Sequence, residues 1–447
     1  MIVYEILAQL GKVKHMVFGS LLPIMGETNI LELFSGFSER ERKYVIFKVL
    51  EMYLNQVMNR MSCGHTVIWA INQGILPMST SANNSCYSTA RSKLQEKSLI
   101  ALFRAVGAKV EEQARVLDKF KKRNVKVVDG SSVQLLDTAK NRTEYTQPTE
   151  QKQGCGNPVM RLVAIMGLGT GVILDAGVGA LSENERTLFR KLWGGLVASD
   201  ILLGDRGFGS YAEVAMLKVR GVDVVFRQRQ GCLKSKEVVK NNGKNDFLIR
   251  WKRPHDPGAW VPRDELPREM IVRAVRFRCA VRGGKTEEVI LFTTLIDSHE
   301  YSANDLATLY RRRWEMELRL RDIKTVMGLE LIPSKTPHGC RNYLWVGLTA
   351  YNLARAVMLD AAKVGRIPIA RISFTNTLNA VSEFHDCRFS ESDFEHRYRN
   401  LLSQLIRTRV PLRPGRSERR ERKRRPKNGF KLMTKPRYPA CSVIKVA

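Results

Sequence analysis

An α/β fold in which helices flank a mixed sheet is predicted by three observations. Apolar, β-branched runs separated by turn residues begin at residue 125, helical stretches interleave with the later runs, and helical texture dominates the chain on both sides. At 447 residues there is room for two or three domains and a large buried core, so no disulfide staple is required.

The elements follow in order. From about residue 20 to 118 the pattern is helical, and residues 1–118 are read as a helical N-terminal DNA-binding domain. Ser38 followed by Glu41 reads as a capping box opening RKYVIFKVLEMYLNQVMNRM, whose apolar residues recur at helical spacing. After the loop LPMSTSANNSCYS comes ARSKLQEKSLIALFRAVGAKV, a second amphipathic helix. Such helices are either a small helix-turn-helix-like DNA reader or packing elements.

The β texture then supplies VKVVDGSSVQLL, RLVAIMGLGTGVILDAGVG, ASDILLGD and GVDVVFRQR, with SENERTLFRKLWGGL before ASDILLGD and SYAEVAMLKVR after it. Three strands, then helix, strand, helix and strand, is the order of an RNase H-like mixed sheet with flanking helices, placed here at 119–229. The segment GLGTG at 167–171 lacks the spacing and following helix of a phosphate-binding loop and reads as a hairpin turn between two strands. Residues 230–290 break the alternation with strand-like pieces joined by Pro- and Gly-containing turns, a β-rich insertion inside the fold. The fold resumes over 291–400, mostly helical from Ser302 to about 365. The last stretch, 401–447, holds 15 Lys and Arg against two Glu, with several prolines, and is expected to be an extended or disordered basic arm.

Lysine and arginine number 74 against 44 acids, a net charge of +30, and the excess is clustered. Such an imbalance resists compact folding unless a polyanion neutralises it, so nucleic acid is the natural partner. The eight cysteines form no Cys-x-x-Cys pair and stand near no histidine pair, which argues against a zinc site. No secretory leader and no run of about 18 apolar residues is seen, so a cytoplasmic protein that does not cross a membrane is expected.

Asp129 closes the apolar run VKVVD and Asp205 closes DILLGD, each expected at the rim of the sheet, where α/β active sites lie. One strand-end acid means little, since turns favour Asp for backbone reasons, but here two such acids are each followed by turn residues, DGSS and DRGFGS. Ser302 and Asp305 form a capping-box-like start to LATLYRRRWEMELRLRDIKTVM, which contains neither Pro nor Gly. At about 100° per residue, Tyr310, Arg313, Glu317 and Lys324 share an arc of about 60° on a single continuous helix. Leu309, Met316, Leu320, Ile323 and Met327 occupy the adjoining arc, which is expected to face the sheet. The plainer alternative is a solvated basic face with an ordinary Glu to Arg or Lys pair.

Three carboxylates converging in so basic a protein fit a magnesium site, since hard cations take oxygen ligands and the acids otherwise repel one another. Two Mg²⁺ ions about 3.5 to 4 Å apart would serve in-line attack on a phosphodiester, and Mn²⁺ is expected to substitute. Lysine and arginine beside the acids, Arg206 among them, are expected to hold DNA phosphates. Asp137 and Asp175 are expected to be supporting acids at most, and none of the seven histidines is assigned a role.

The spacing Tyr310-x2-Arg313-x3-Glu317-x6-Lys324 resembles the Tyr-Arg-Glu-Lys signature of bacterial insertion-sequence DDE transposases of the insertion sequence four type. Asp129-Gly-Ser and Asp205-Arg-Gly-Phe resemble that family's first and second acid motifs, and KRRPKNGFKLMTKPR looks like its C-terminal end. The resemblance covers about residues 120 to 440. It implies catalysis and metal binding by Asp129, Asp205 and Glu317, and phosphate contacts near the transposon terminus by Tyr310, Arg313 and Lys324, with Arg424, Arg425 and Lys427 of the arm on DNA. It further implies cut-and-paste transposition on terminal inverted repeats and target DNA, by a homodimer on paired ends, associated with the bacterial nucleoid. Nicking, a hairpin on the element's end, its opening and strand transfer are the implied steps. Some relatives carry a tryptophan just before the strand equivalent to LFTTL and stack a flipped base on it; Val289 and Ile290 stand there in this chain. Trp251 or Trp260 is then either a substitute or a packing residue. A catalytically inactive DNA-binding repressor and a structure-selective nuclease on the same fold are the competing classes.

Overall fold

The computed structural model describes residues 32–35, 44–114, 119–148, 154–281, 285–385 and 391–412. The N-terminal helices are α1 (Ile46–Met58), α2 (Cys63–Asn72), α3 (Ser85–Ser92) and α4 (Glu96–Gln113). Every residue of α1 except Lys48 is buried, so this helix is enclosed rather than half-exposed, and its role is to fill the core. The Ser38–Glu41 capping box lies outside the described residues, and Val45 precedes α1 without a side-chain cap. The expected second helix is two, because the chain turns at Lys93–Gln95 before α4 begins.

Among the described residues the sheet has ten strands. They are β1 (Val125–Leu135), β2 (Val159–Gly167), β3 (Ile173–Ala180), β4 (Ile201–Gly204), β5 (Asp223–Gln228), β6 (Glu237–Gly243), β7 (Asp246–Lys252), β8 (Glu269–Val281), β9 (Lys285–Thr293) and β10 (Leu331–Ile332). Their spatial order is β3-β2-β1-β4-β5-β9-β8-β7-β6, with β10 beside β1. The strands β1 to β3 form an antiparallel meander and β4 and β5 run parallel to β1, the RNase H-like arrangement the element order predicts. The GLGTG segment is the turn from β2 to β3. Within 230–290 the strands do not stand apart: β9 pairs antiparallel with β5, so they continue the same sheet.

Because side chains alternate across a strand, the sheet buries two apolar layers. Val125, Val127, Ile201 and Leu203 face a layer that also holds α1, α4 and the later helices; Val128, Leu202 and Phe226 face α6 (Glu185–Lys191) and α7 (Tyr211–Val219). A short helix, α5 (Ala139–Glu144), follows β1. On the first face lie α8 (Ala303–Arg311), α9 (Trp314–Arg321), α10 (Pro337–Gly365), α11 (Phe374–His385) and α12 (Glu391–Arg407). The start of α10 is set by Thr336, whose hydroxyl accepts from the Gly339 N–H, and by Pro337 in the first turn, where a missing N–H costs nothing.

Two expectations change here. The segment from Ser302 is not one helix. Ser302 caps α8 by accepting from the Asp305 N–H, but the α-helical hydrogen-bond ladder is interrupted at Arg312–Arg313, whose backbone stays in the right-handed helical region, resumes as α9, and passes into a π-helical turn at Asp322–Val326. Tight i to i+3 bonds mark the break: Arg313 N–H to the Tyr310 carbonyl (3.0 Å) and Met316 N–H to the Arg313 carbonyl (2.9 Å). The basic arm also begins later than residue 401, since 401–407 close α12 and Leu401, Leu402 and Leu405 are buried at helical spacing. Among the described residues no helix is long and apolar enough to cross a membrane.

One buried ion pair fixes how the chain enters α8. Arg273 of β8 is fully buried, forks onto Asp246 of β7, and donates to the carbonyls of Asp297 (3.3 Å) and Tyr301 (2.6 Å) in the loop before α8.

Candidate active site

Strand register brings the first two acids together. In the parallel pair of β1 and β4, Val128 lies opposite Gly204, so Asp129 and Asp205 are the next residues on neighbouring strands. Alternation puts both on the face of Val127 and Leu203, toward α8 to α10. Asp129 is therefore in the middle of β1 rather than at its end, but it still sits at an opening: pairing with β4 stops at Val128 and pairing with β10 starts at Gln134. Close approach here requires glycine at 204, where a Cβ atom would lie 2.8 Å from Phe226 and 3.1 Å from Val128.

Arg313 joins the strands to the third acid. Its Nη1 donates to Asp129 Oδ2 and its Nη2 to Glu317 Oε1, each at 3.2 Å. The guanidinium is enclosed, its side chain 6% exposed, whereas Asp129 is 19% and Glu317 53% exposed. Arg313 occupies the residue between α8 and α9, and Glu317 stands four residues on, one helical turn along the same side. The Gly130 N–H donates to Asp129 Oδ1 (2.9 Å), and the Arg206 N–H to Asp205 Oδ1 (2.7 Å). Burial pushes the Asp129 carboxyl up to about 6; Arg313 and the Gly130 N–H oppose the shift, and the charges of Glu317 and Asp205 add to it.

Tyr310 is buried, and its hydroxyl donates to the Gly204 carbonyl (3.4 Å), just before Asp205; burial raises its pKa. Lys324 is half-buried in the π-helical turn, and among the described ion pairs none joins it to the acids. Arg206 is exposed beside Asp205. Arg424, Arg425 and Lys427 lie outside the described residues. Asp137 pairs with Arg142 (3.3 Å) and Asp175 with Arg104 (2.8 Å), so both are held by partners away from the three acids. Trp251 is buried edge-on against Tyr211 and Phe292, and Trp260 packs on Trp193 with Arg190 over its ring, which are packing arrangements.

Two supporting contacts were not foreseen from the sequence. The Gly130 N–H reaches Asp129 only because β1 holds it there. Arg60, just after α1, donates to the Thr325 carbonyl (2.9 Å) and to that of Val326, tying the N-terminal helices to the π-helical turn after α9.

The donor set consists of carboxylate oxygens alone, which suits a hard divalent cation. As the side chains stand, among the described residues no three Asp, Glu, His or Cys groups are gathered closely enough to enclose one, and the Arg313 guanidinium lies between Asp129 and Glu317.

A mixed sheet that carries two acids in register where β1 and β4 part, with a glutamate brought near by a covering helix, marks the chain as an α/β protein with a carboxylate cluster at the carboxyl ends of its parallel strands. Residues 120–353 match the transposase DDE domain family, and the chain belongs to it. It is similar to the transposase InsG for insertion sequence element IS4 of Escherichia coli strain K12, 26% identical over 240 residues, 53% of this chain and 52% of that protein. It is also similar to the transposase for insertion sequence element IS421 of Escherichia coli, 24% identical over 184 residues, 34% of this chain and 49% of that one. The chain thus spans about half the length of the curated relatives it matches. Among solved structures, the piggyBac transposase synaptic complex with hairpin DNA is similar with a TM-score of 0.44 at 10% identity, over 92% of this chain and 88% of the other.

Proposed function

We propose that the chain cleaves DNA at transposon ends and transfers the freed strand into target DNA, with Asp129, Asp205 and Glu317 as its catalytic acids. The observation that carries the proposal is the register of Asp129 and Asp205 on β1 and β4, with Glu317 joined to Asp129 through Arg313. The three carboxylates would hold Mg²⁺, with Mn²⁺ able to substitute, and the bound ions would activate the attacking oxygen and stabilise the departing one. The Gly130 and Arg206 N–H groups orient the Asp129 and Asp205 carboxylates, and Tyr310 holds the Gly204 carbonyl that precedes Asp205.

In the nicking step a water oxygen attacks phosphorus and the P–O3′ bond breaks, leaving a 3′-hydroxyl and a 5′-phosphate. In strand transfer that 3′-oxygen, having lost its proton, attacks a target phosphate and the target's own 3′-oxygen leaves as the hydroxyl. Arg206, Lys324 and the arm residues Arg424, Arg425 and Lys427 are assigned to DNA phosphates. Arg313 and Tyr310 reach phosphate only by leaving their present partners.

The full reading is cut-and-paste transposition through a hairpin, by a homodimer on paired terminal inverted repeats in a bacterial nucleoid. Residues 1–118 serve DNA binding, and 119–229 with 291–400 form the catalytic unit around the 230–290 insertion. Incubating the protein with a labelled transposon-end duplex and Mg²⁺, then separating nicked, hairpin and strand-transfer products, tests it. Binding without nicking would replace the proposal with a repressor, and cutting of branched DNA without strand transfer would replace it with a nuclease.

A further inference from the structure

We propose that Arg313 is a built-in counter-ion that occupies the cation site of the DNA-free protein, so that Asp129 and Glu317 become free to bind a divalent cation only when Arg313 is drawn away by a phosphate. The inference rests on the assignment of these acids as metal ligands above, and goes beyond it by making the binding of metal and of DNA depend on each other.

Four features carry it. One guanidinium bridges carboxylates from two different elements, the β1 strand and the α9 helix, by one N–H each rather than by a bidentate fork on either. Both contacts are 3.2 Å, within hydrogen-bond range, so a single cation serves an acid of each element. Arg313 Nε is buried with no hydrogen-bond partner, so the fork is incompletely satisfied in its present position. And Arg313 stands at the junction of α8 and α9, where i to i+3 bonds replace the α-helical ladder.

Charge decides which partner wins. Asp129, Asp205 and Glu317 repel one another, and in the absence of a divalent ion Arg313 is the cation that relieves this. A guanidinium and a divalent ion cannot both lie between Asp129 and Glu317, since like charges at such separations oppose each other strongly. A phosphodiester offers Arg313 the planar pair of oxygens its fork is shaped for. Linkage then requires reciprocity: DNA raises the affinity for the cation by the same factor by which the cation raises the affinity for DNA.

The test is Mn²⁺ binding to the full chain, measured by titration calorimetry or by the electron paramagnetic resonance of free Mn²⁺, in the absence of catalysis. Without DNA, Arg313→Gln is expected to bind Mn²⁺ about tenfold more tightly than wild type, and Arg313→Lys to fall between them. A short duplex of arbitrary sequence, with its own Mn²⁺ uptake subtracted, is expected to raise the affinity of wild type but not that of Arg313→Gln. Equal Mn²⁺ affinity in wild type and Arg313→Gln overturns the proposal, as does a wild-type affinity that the duplex leaves unchanged, a result that needs no variant to fold. Absence of Mn²⁺ binding in all the proteins, with or without duplex, overturns instead the carboxylate assignment beneath it.

Discussion

Changing Asp129 to Asn removes a charge that the fold holds at a cost. The carboxyl is pushed from its ordinary 3.8 up to about 6, chiefly by burial, with Arg313 and the Gly130 N–H recovering only part of the loss. A raised folded-state pKa on an acid means that the folded protein binds the proton more tightly than the unfolded chain does. The stability this contributes is fully present below about pH 4 and is lost as pH rises through about 6. The gap of about two units corresponds to about 3 kcal/mol at neutral pH, and since Arg313 loses a charged partner in the variant, a net gain of about 1 to 3 kcal/mol is expected. Urea unfolding of wild type and Asp129→Asn in EDTA reads this directly. The variant is expected to be the more stable at about pH 7, with the advantage shrinking toward zero at about pH 4. A variant less stable than wild type at neutral pH, or a difference that does not change with pH, would refute the reasoning.

Arg273→Met leaves Asp246 buried without its partner and frees the loop before α8, so a loss of about 3 to 5 kcal/mol is expected in urea unfolding, largely recovered in Arg273→Met/Asp246→Leu. Gly204→Ala places a methyl group 2.8 Å from Phe226 and is expected to cost about 1 to 3 kcal/mol while moving Asp205 out of register with Asp129, seen as lost strand cleavage at a temperature where the variant remains folded. Deleting residues 411–447 is expected to flatten the dependence of log affinity for DNA on log salt, by a slope of about 0.9 for each phosphate that the arm neutralises; an unchanged slope would assign the arm no part in holding DNA.

Much of the framework was legible because local chemistry and global fold agree. The runs that became β1 to β5 are β-branched and bounded by turns, and Ser302 capped its helix as a capping residue should. The paired acids were legible for a reason that turned out different in detail: Asp129 lies within β1, and its position at an opening comes from where β4 and β10 stop. What stayed hidden depends on tertiary contacts. The break at Arg312–Arg313 has no Pro or Gly to announce it, and β6, an exposed edge strand with the sequence EVVKNNG, has no apolar face to show alternation. Basic composition concealed the last turn of α12, where three leucines outweigh their surroundings. In the site, the Arg313–Glu317 pair could be read from i, i+4 spacing, but the Arg313–Asp129 contact could not, since it spans 184 residues and exists only once the helix has settled on the sheet.

The most direct test of the central claim is strand cleavage by Glu317→Gln. The side chain keeps its shape and loses only its charge, and its 53% exposure leaves the fold little affected. With a labelled transposon-end duplex and Mg²⁺, the variant is expected still to bind the duplex but to produce no nicked, hairpin or strand-transfer product. Nicking at the wild-type rate would contradict the account.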